Sequence, residues 1–298
     1  MSSAFLGESA CLAAAFMWAT AVVIFRGPIA AWGARTTNLV KCLVATVLLA
    51  LTLPFFGGLS AFASVPTRDL VFIAASGVVG LTLGDTALFA AVGRLGAHRT
   101  LVLQTFAPVF AGGLAIASGE RLTTLQLAGG AVVLIGVAVV VGPGRPGSDA
   151  RTRAALTGVL LALVGAFGQG AGVVLAKQGL ASIDTVPATL ARIAAGTAGL
   201  LIAGALTGHN RTLGTALGDR PIMLRMVPAT FVGTYLALLL MMAGVALAPA
   251  TIAAVLLATS PIFSLVIEAI ADRRRPTALA VIGTIVAVGG VAILVGAG

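Results

Sequence analysis

Residues 69–92 read DLVFIAASGVVGLTLGDTALFAAV, and residues 222–247 read IMLRMVPATFVGTYLALLLMMAGVAL. Each run is long enough to cross a hydrocarbon core of about 30 Å as a helix. At an offset of 153 residues, Gly80 of the first run falls on Gly233 of the second. The two runs therefore raise one hypothesis about environment and one about architecture: a membrane protein, built twice.

Working outward, segments of about 20 apolar residues follow one another along the whole chain. Ten helices are expected, at 7–26, 36–54, 69–92, 99–118, 124–142, 154–177, 187–206, 222–247, 249–270 and 277–297. The breaks fall at Gly27-Pro28, Pro54, Pro66, Gly142-Pro143, Pro187, Pro221, Pro249 and Pro276, residues that start or stop helices. Hydrophobic residues make up 59% of the 298 positions and charged residues 9%. A soluble domain carries roughly a quarter charged residues, so lipid must cover this one.

The net charge of +9 would suggest nucleic acid if the basic residues formed a stripe. They are scattered through short loops instead. Thirteen of the 18 Lys and Arg residues lie in or beside the loops after helices 1, 3, 5, 7 and 9, and three (Arg68, Arg121, Lys177) in the alternate loops. The positive-inside rule then places the odd-numbered loops in the cytoplasm and both termini outside. The first nine residues lack a positive n-region, so the first apolar segment is expected to stay as a helix. Cys11 and Cys42 fall inside apolar segments and read as small buried or lipid-facing residues.

The repeat extends over the chain. At an offset of 151, Gly7 falls on Gly158, Trp18 on Gln169, Arg26 on Lys177 and Lys41 on Arg192; at 153, Pro108 falls on Pro261, Gly130 on Gly283 and Gly136 on Gly289. Five helices per unit force the second unit to enter the membrane upside down. The expected fold is an all-α membrane protein of ten transmembrane helices in two inverted five-helix repeats, 1–144 and 154–298, joined by a linker at 145–153. Two halves related by an axis in the membrane plane suit alternating access around a site near the midplane.

Several residues are candidates for that site. Trp18 lies near the middle of helix 1, where it either lines a cavity or packs between helices. Its equivalent Gln169 sits in the glycine-rich stretch Gly165–Gly172 and needs a hydrogen-bond partner. Asp85 is the only acid well inside a span, costly there and so a candidate for solute binding or proton coupling; the alternative is a structural pair with Lys41. Pro108 and Pro261 read as kinks that either gate or merely bend helices 4 and 9, freeing the carbonyls of Gln104 and Leu257. Gln104, Thr105, Thr259 and Ser260 around them offer hydrogen bonds to a solute or cap those carbonyls. Tyr235 is the only tyrosine, mid-span in helix 8. Lys41 and Arg192 read as structural charges placed toward opposite faces, and Glu268 as a surface ion-pair member beside Arg273, Arg274 and Arg275. His98 and His209 lie at loops, with no role assigned. No phosphate-binding loop, metal-ligand cluster or nucleophile–base set is visible, so neither a cofactor nor an enzyme activity is expected.

Ala87–Val140 (ALFAAVGRLGAHRTLVLQTFAPVFAGGLAIASGERLTTLQLAGGAVVLIGVAVV) resembles the third-to-fifth-helix signature of the drug/metabolite transporter superfamily, in its EamA-type ten-helix branch. The matching elements are Leu95-Gly96-Ala97, Pro108, Gly119-Glu120-Arg121, and Gly129-Gly130 with Gly136. The second half is similar through Ala248-Pro249-Ala250, Ser260-Pro261, Asp272-Arg273, and Gly283 with Gly289, but has no counterpart of Glu120. Trp18 resembles the first-helix tryptophan of the family. The resemblance implies a secondary transporter of the bacterial inner membrane, most similar to YddG-type exporters of aromatic and other neutral amino acids. Efflux of lipophilic cations is the alternative transport reading, and a pore or scaffold the alternative outside transport. The expected partners are a small-molecule solute and the lipid bilayer, with no nucleic acid; duplication lets a monomer suffice and leaves a dimer open.

Overall fold

The computed structural model describes residues 3–117, 123–141, 149–180, 182–247 and 256–296. Ten helical rods run through them. The first apolar stretch folds as one continuous run, Ser3–Thr52, bent where Gly33 takes φ 78 and ψ 164. That conformation is open only to glycine, so the run is two rods, α1 (residues 3–32) and α2 (34–52). The expected break at Gly27-Pro28 is not where the chain turns. Pro28 lies inside α1, and the expected first loop is mostly helix with Gly33 as its corner.

The remaining rods are α3 (67–95), α4 (97–117), α5 (Thr124–Val141), α6 (Asp149–Gly179), α7 (Thr185–Leu206), α8 (220–247), α9 (Ser260–Ala271) and α10 (Ala278–Gly296). A short helix, Arg211–Gly218, lies between α7 and α8. Among the described residues, seven helices are long and apolar enough to cross a membrane, the first being the bent pair. Large apolar side chains such as Leu51, Leu83, Ile135, Leu206 and Ile285 stand exposed, as a lipid-facing belt requires. Of the expected linker at 145–153, residues 145–148 lie outside the described residues and 149–153 already belong to the helix Asp149–Gly179; the motif Gly119-Glu120-Arg121 and the start of the ninth span also lie outside the described residues.

α5 and α10 display the inverted repeat directly. A Cβ on Gly129 would meet Leu294 and one on Gly136 would meet Ala287; one on Gly290 would meet Val133 and one on Gly283 would meet Val140. Residue number rises along one helix as it falls along the other, so the two are antiparallel. Adding 154 to Gly129, Val133, Gly136 and Val140 gives Gly283, Ala287, Gly290 and Leu294, so each contact reappears with its partners exchanged. That is the signature of a two-fold axis between equivalent helices. The register corrects the sequence alignment by one residue, because Gly289 faces open space and Gly290 carries the contact.

Two further features repeat. The helix widens to a π-helical stretch at Val78–Asp85 in α3 and at Phe231–Leu236 in α8, starting at equivalent residues. α4 breaks at Thr105-Phe106 and resumes at Ala107; the ninth rod breaks at Ala258-Thr259 and resumes at Ser260. Pro108 and Pro261 therefore occupy the first turn after a break, where a missing N–H costs little, and do not bend a continuous helix.

The loops sort to two ends. Arg35 donates to Thr207 Oγ1 at 2.9 Å, Trp32 Nε1 to Asp219 at 3.0 Å, and the His98 backbone N–H to Glu268 at 2.8 Å. Odd-numbered loops thus share one end. At the other, Ser182 donates to Asp69 at 2.5 Å.

Candidate functional site

The site begins with Asp85, at the end of the π-helical stretch of α3 and 2% exposed at its side chain. A carboxylate so placed must be neutralised and hydrogen-bonded. Both conditions are met from different helices. Lys41 of α2 forms an ion pair with Oδ2, and its ammonium lies 5.1 Å from the centre of the Phe89 ring. Gln169 of α6 donates to Oδ1 at 2.5 Å. Asp85 therefore joins α2, α3 and α6, and each of its oxygens has a donor.

Close helix packing makes this geometry possible. A Cβ on Gly168 would lie 2.7 Å from the Gly84 Cα, and one on Gly172 3.1 Å from the Gly80 Cα. Small residues let α3 and α6 approach until Gln169 reaches Asp85. Asn38 of α2 holds the widened turn from the other side: its amide donates to the Leu81 carbonyl at 2.8 Å and to Thr86 Oγ1 at 3.0 Å. Cys42 Sγ donates to the side-chain Oδ1 of Asn38 at 3.5 Å.

Arg192 of α7 is the second cation here. From the sequence, Lys41 and Arg192 are expected toward opposite faces. In the fold both interact electrostatically with Asp85, because α2 and α7 flank α3. A Cβ on Gly80 would lie 3.0 Å from Arg192 Nη2, and one on Gly172 3.4 Å from it. The guanidinium thus rests in the notch between two glycines, about one helical turn from the Asp85–Gln169 bond. Its Nε is sealed from solvent and has no hydrogen-bond partner.

The other candidates fall into two groups. Gln104 donates to the Ala162 carbonyl at 3.2 Å, next to Gly165 and Gly84, and so borders the Asp85 cluster. Trp18 packs against the core of Val22, Phe25 and Phe89. Tyr235 bonds Thr52 at 2.6 Å, stacks on Phe231 and packs with Ala45, Leu49 and Ile193. Ser260 donates to Leu257 at 2.9 Å, Thr259 to Leu256 at 2.5 Å and Thr105 to Val102 at 2.7 Å. These three hydroxyls cap carbonyls at the two breaks. Among the described residues, no hydrogen bond or ion pair ties Trp18, Tyr235 or Ser260 to Asp85.

Glu268 pairs with Arg26, at 3.2 Å, and not with the arginines that follow it in sequence; Asp272 pairs with Arg26 at 3.1 Å. A cleft of about 530 Å³ opens beside Arg26, lined by Val23, Ile29, Val92 and Ala271. His98 is buried, its ring 3.3 Å from the Pro261 carbonyl and 3.4 Å from Thr284 Oγ1. Asn38 and His98 were not singled out from the sequence. An asparagine three residues before an in-span lysine was the available signal for the first; for the second, nothing local marked burial.

Inverted five-helix repeats enclosing buried ionisable groups define the molecule as a polytopic transporter-type membrane protein. The model of the EamA-like transporter family matches twice, at residues 5–142 and 156–296, and the chain belongs to that family. A solved crystal structure is similar with a TM-score of 0.64 and 18% identity, over 98% of this chain and 95% of the other, which shows the shared fold. No curated protein sequence matches significantly.

Proposed function

We propose that this protein is a secondary transporter of the bacterial inner membrane that exports a small organic solute, an amino acid or a closely related metabolite, by alternating access. The observation that carries the reading is the cluster of Lys41, Asp85, Gln169 and Arg192, gathered inside the spans where the two repeats interlock. Ionisable groups at that depth are costly and mark solute or ion pathways. The symmetric breaks at Thr105-Phe106 and Ala258-Thr259 supply a bending point in each half. The Arg26–Glu268–Asp272 group would close the odd-loop end, which the charge bias assigns to the cytoplasm.

The solute class follows from what the cluster leaves free. Both oxygens of Asp85 are engaged, so it offers no open counter-ion to a lipophilic cation, and Arg192 adds positive charge. A nucleotide sugar or polyphosphate would need several free cations. The apolar surroundings, with Trp18 and Tyr235 in the packed walls, suit a neutral, partly hydrophobic solute.

The experiment is uptake by purified protein in liposomes, using a panel of radiolabelled amino acids with and without a pH gradient. Saturable, trans-stimulated uptake of neutral or aromatic amino acids, reduced at least tenfold by Gln169→Ala and Trp18→Ala, is expected. A gradient requirement lost in Asp85→Asn would assign proton coupling to Asp85. Uptake of lipophilic cations and of no amino acid would overturn the reading in favour of drug efflux.

A further inference from the structure

Within the spans, the described residues around Asp85 hold two cations and one anion. Lys41 is neutralised by direct pairing with Asp85, whose second oxygen is taken by Gln169. Arg192 is left over. No hydrogen bond or ion pair reaches its guanidinium among the described residues, and its Nε is buried without a partner. A guanidinium does not deprotonate in proteins. An uncompensated charge at this depth is costly unless an anion answers it.

We propose that the Arg192 guanidinium, lying in the Gly80–Gly172 notch, is the subsite that receives the carboxylate of the transported solute. The chemistry selects that group. One surplus positive charge matches one negative charge, and the planar fork of donors matches a planar carboxylate in a two-point contact. A phosphate dianion would need a second free cation, and Lys41 is committed. An ammonium group would meet a cation and find both Asp85 oxygens occupied. The two glycines matter because a side chain on Gly80 would press on Nη2 at 3.0 Å and one on Gly172 would touch it at 3.4 Å, shifting the guanidinium. The repeat explains why the site is single: Lys41 is the equivalent of Arg192, but the equivalent of Asp85 is Leu238. Only one of two related cations has an acid to pair with.

This inference rests on the transporter reading above and names the group that reading leaves unspecified. The test compares binding of carboxylates with that of their uncharged or cationic amides, using purified full-length protein and following ligand-induced thermal stabilisation. The probes are L-phenylalanine, L-leucine and phenylacetate against L-phenylalaninamide, L-leucinamide and phenylacetamide. Each acid is expected to bind at least tenfold more tightly than its amide. Arg192→Gln is expected to remove that preference, and Arg192→Lys, which keeps the charge and the fold but loses the fork, to leave part of it. Equal binding of acids and amides by the unmodified protein, binding of no acid, or an undiminished preference in Arg192→Gln would overturn the proposal. The acid–amide comparison needs no variant, so misfolding of Arg192→Gln does not decide it. Phenylacetate bound and amino acids neither bound nor transported would sustain the subsite while overturning the amino-acid reading. Amino acids transported with no acid preference would do the reverse.

Discussion

Thr46 and Thr197 meet hydroxyl to hydroxyl at 3.1 Å, where α2 crosses α7. They are 151 residues apart, the same separation as Lys41 and Arg192. A residue that touches its own repeat equivalent lies on the axis relating the repeats. The exchanged contacts of Gly129, Gly136, Gly283 and Gly290 place the same axis between α5 and α10. The line joining these two places runs through the molecule, with Lys41 and Arg192 each five residues from the Thr46–Thr197 crossing. The cations are therefore near-symmetric about the axis, and Asp85 breaks the symmetry by pairing with one of them.

The α5–α10 contact gives a sharp test of the corrected register. A Cβ at Gly290 would lie 2.5 Å from the Val133 backbone nitrogen, while Gly289 next to it faces open space. Gly290→Ala is expected to destabilise by about 1–3 kcal/mol through overpacking. Gly289→Ala should be neutral or stabilising by up to about 1 kcal/mol, from helix propensity alone. Thermal unfolding in detergent separates the two; equal effects would return the register to an offset of 153.

The Lys41–Asp85 pair should behave as a buried pair and not as a surface one. Removing one partner leaves a charge without compensation, at a cost of about 3–5 kcal/mol. Asp85→Asn, which leaves both Lys41 and Arg192 without an anion, is expected to lower stability on that scale; Lys41→Met, which leaves Asp85 beside Arg192, is expected to cost less, and the double variant to recover part of the Asp85→Asn loss. The Arg26–Glu268 pair, with side chains 35% and 18% exposed, should cost no more than about 1 kcal/mol when broken. A double-mutant cycle on each pair checks the contrast.

Much of this was legible in the sequence because one-dimensional signals carry it. Apolar run length gave the spans, and the spacing of Gly80 with Gly233 and Pro108 with Pro261 gave the duplication. The misreadings have a common cause. Gly27-Pro28 carries the stronger breaker signature, but proline is tolerated within a helix whose neighbours satisfy the freed carbonyl, and Gly33 alone adopts the corner conformation. Counting depth along separate helices puts Lys41 and Arg192 toward opposite faces, whereas their convergence depends on how α2 and α7 cross. The pairing of Glu268 with Arg26 is likewise a contact 242 residues long in sequence, which no local pattern encodes. Gln169 was singled out as needing a partner; that Asp85 is the partner emerges only when α3 and α6 are packed.

The corner between α1 and α2 should depend on glycine. Gly33 has φ 78 and ψ 164, with open space around it. Gly33→Ala therefore meets no clash, and its whole cost is backbone strain of about 1–3 kcal/mol. Gly96 differs: its φ is +85, and a Cβ would also lie 2.8 Å from Glu268 Oε1. Gly96→Ala combines strain with displacement of the carboxylate that holds the His98 N–H and Arg26. Adding Glu268→Ala should relieve part of the Gly96→Ala loss and none of the Gly33→Ala loss, as measured by unfolding midpoints.

Asn38 should control the position of Asp85 without touching it. Its amide donates to the Leu81 carbonyl and to Thr86 Oγ1, on either side of the carboxylate. In a π-helical stretch the ladder of backbone bonds is shifted, and a side-chain donor holds the wider turn open. Asn38→Leu keeps a similar volume, removes both bonds, and leaves a buried carbonyl unsatisfied at about 1–3 kcal/mol. The α3 segment is then expected to tighten toward ordinary helix, rotating Asp85 away from Gln169. Two readouts distinguish that from simple destabilisation. Solute uptake in liposomes should fall at least tenfold at a temperature where the variant remains folded. Gln169→Ala, severe in the unmodified protein, should add little further loss in the Asn38→Leu background, because the bond it removes is already broken. Full additivity of the two losses would mean that Asn38 supports stability alone and leaves Asp85 where it is.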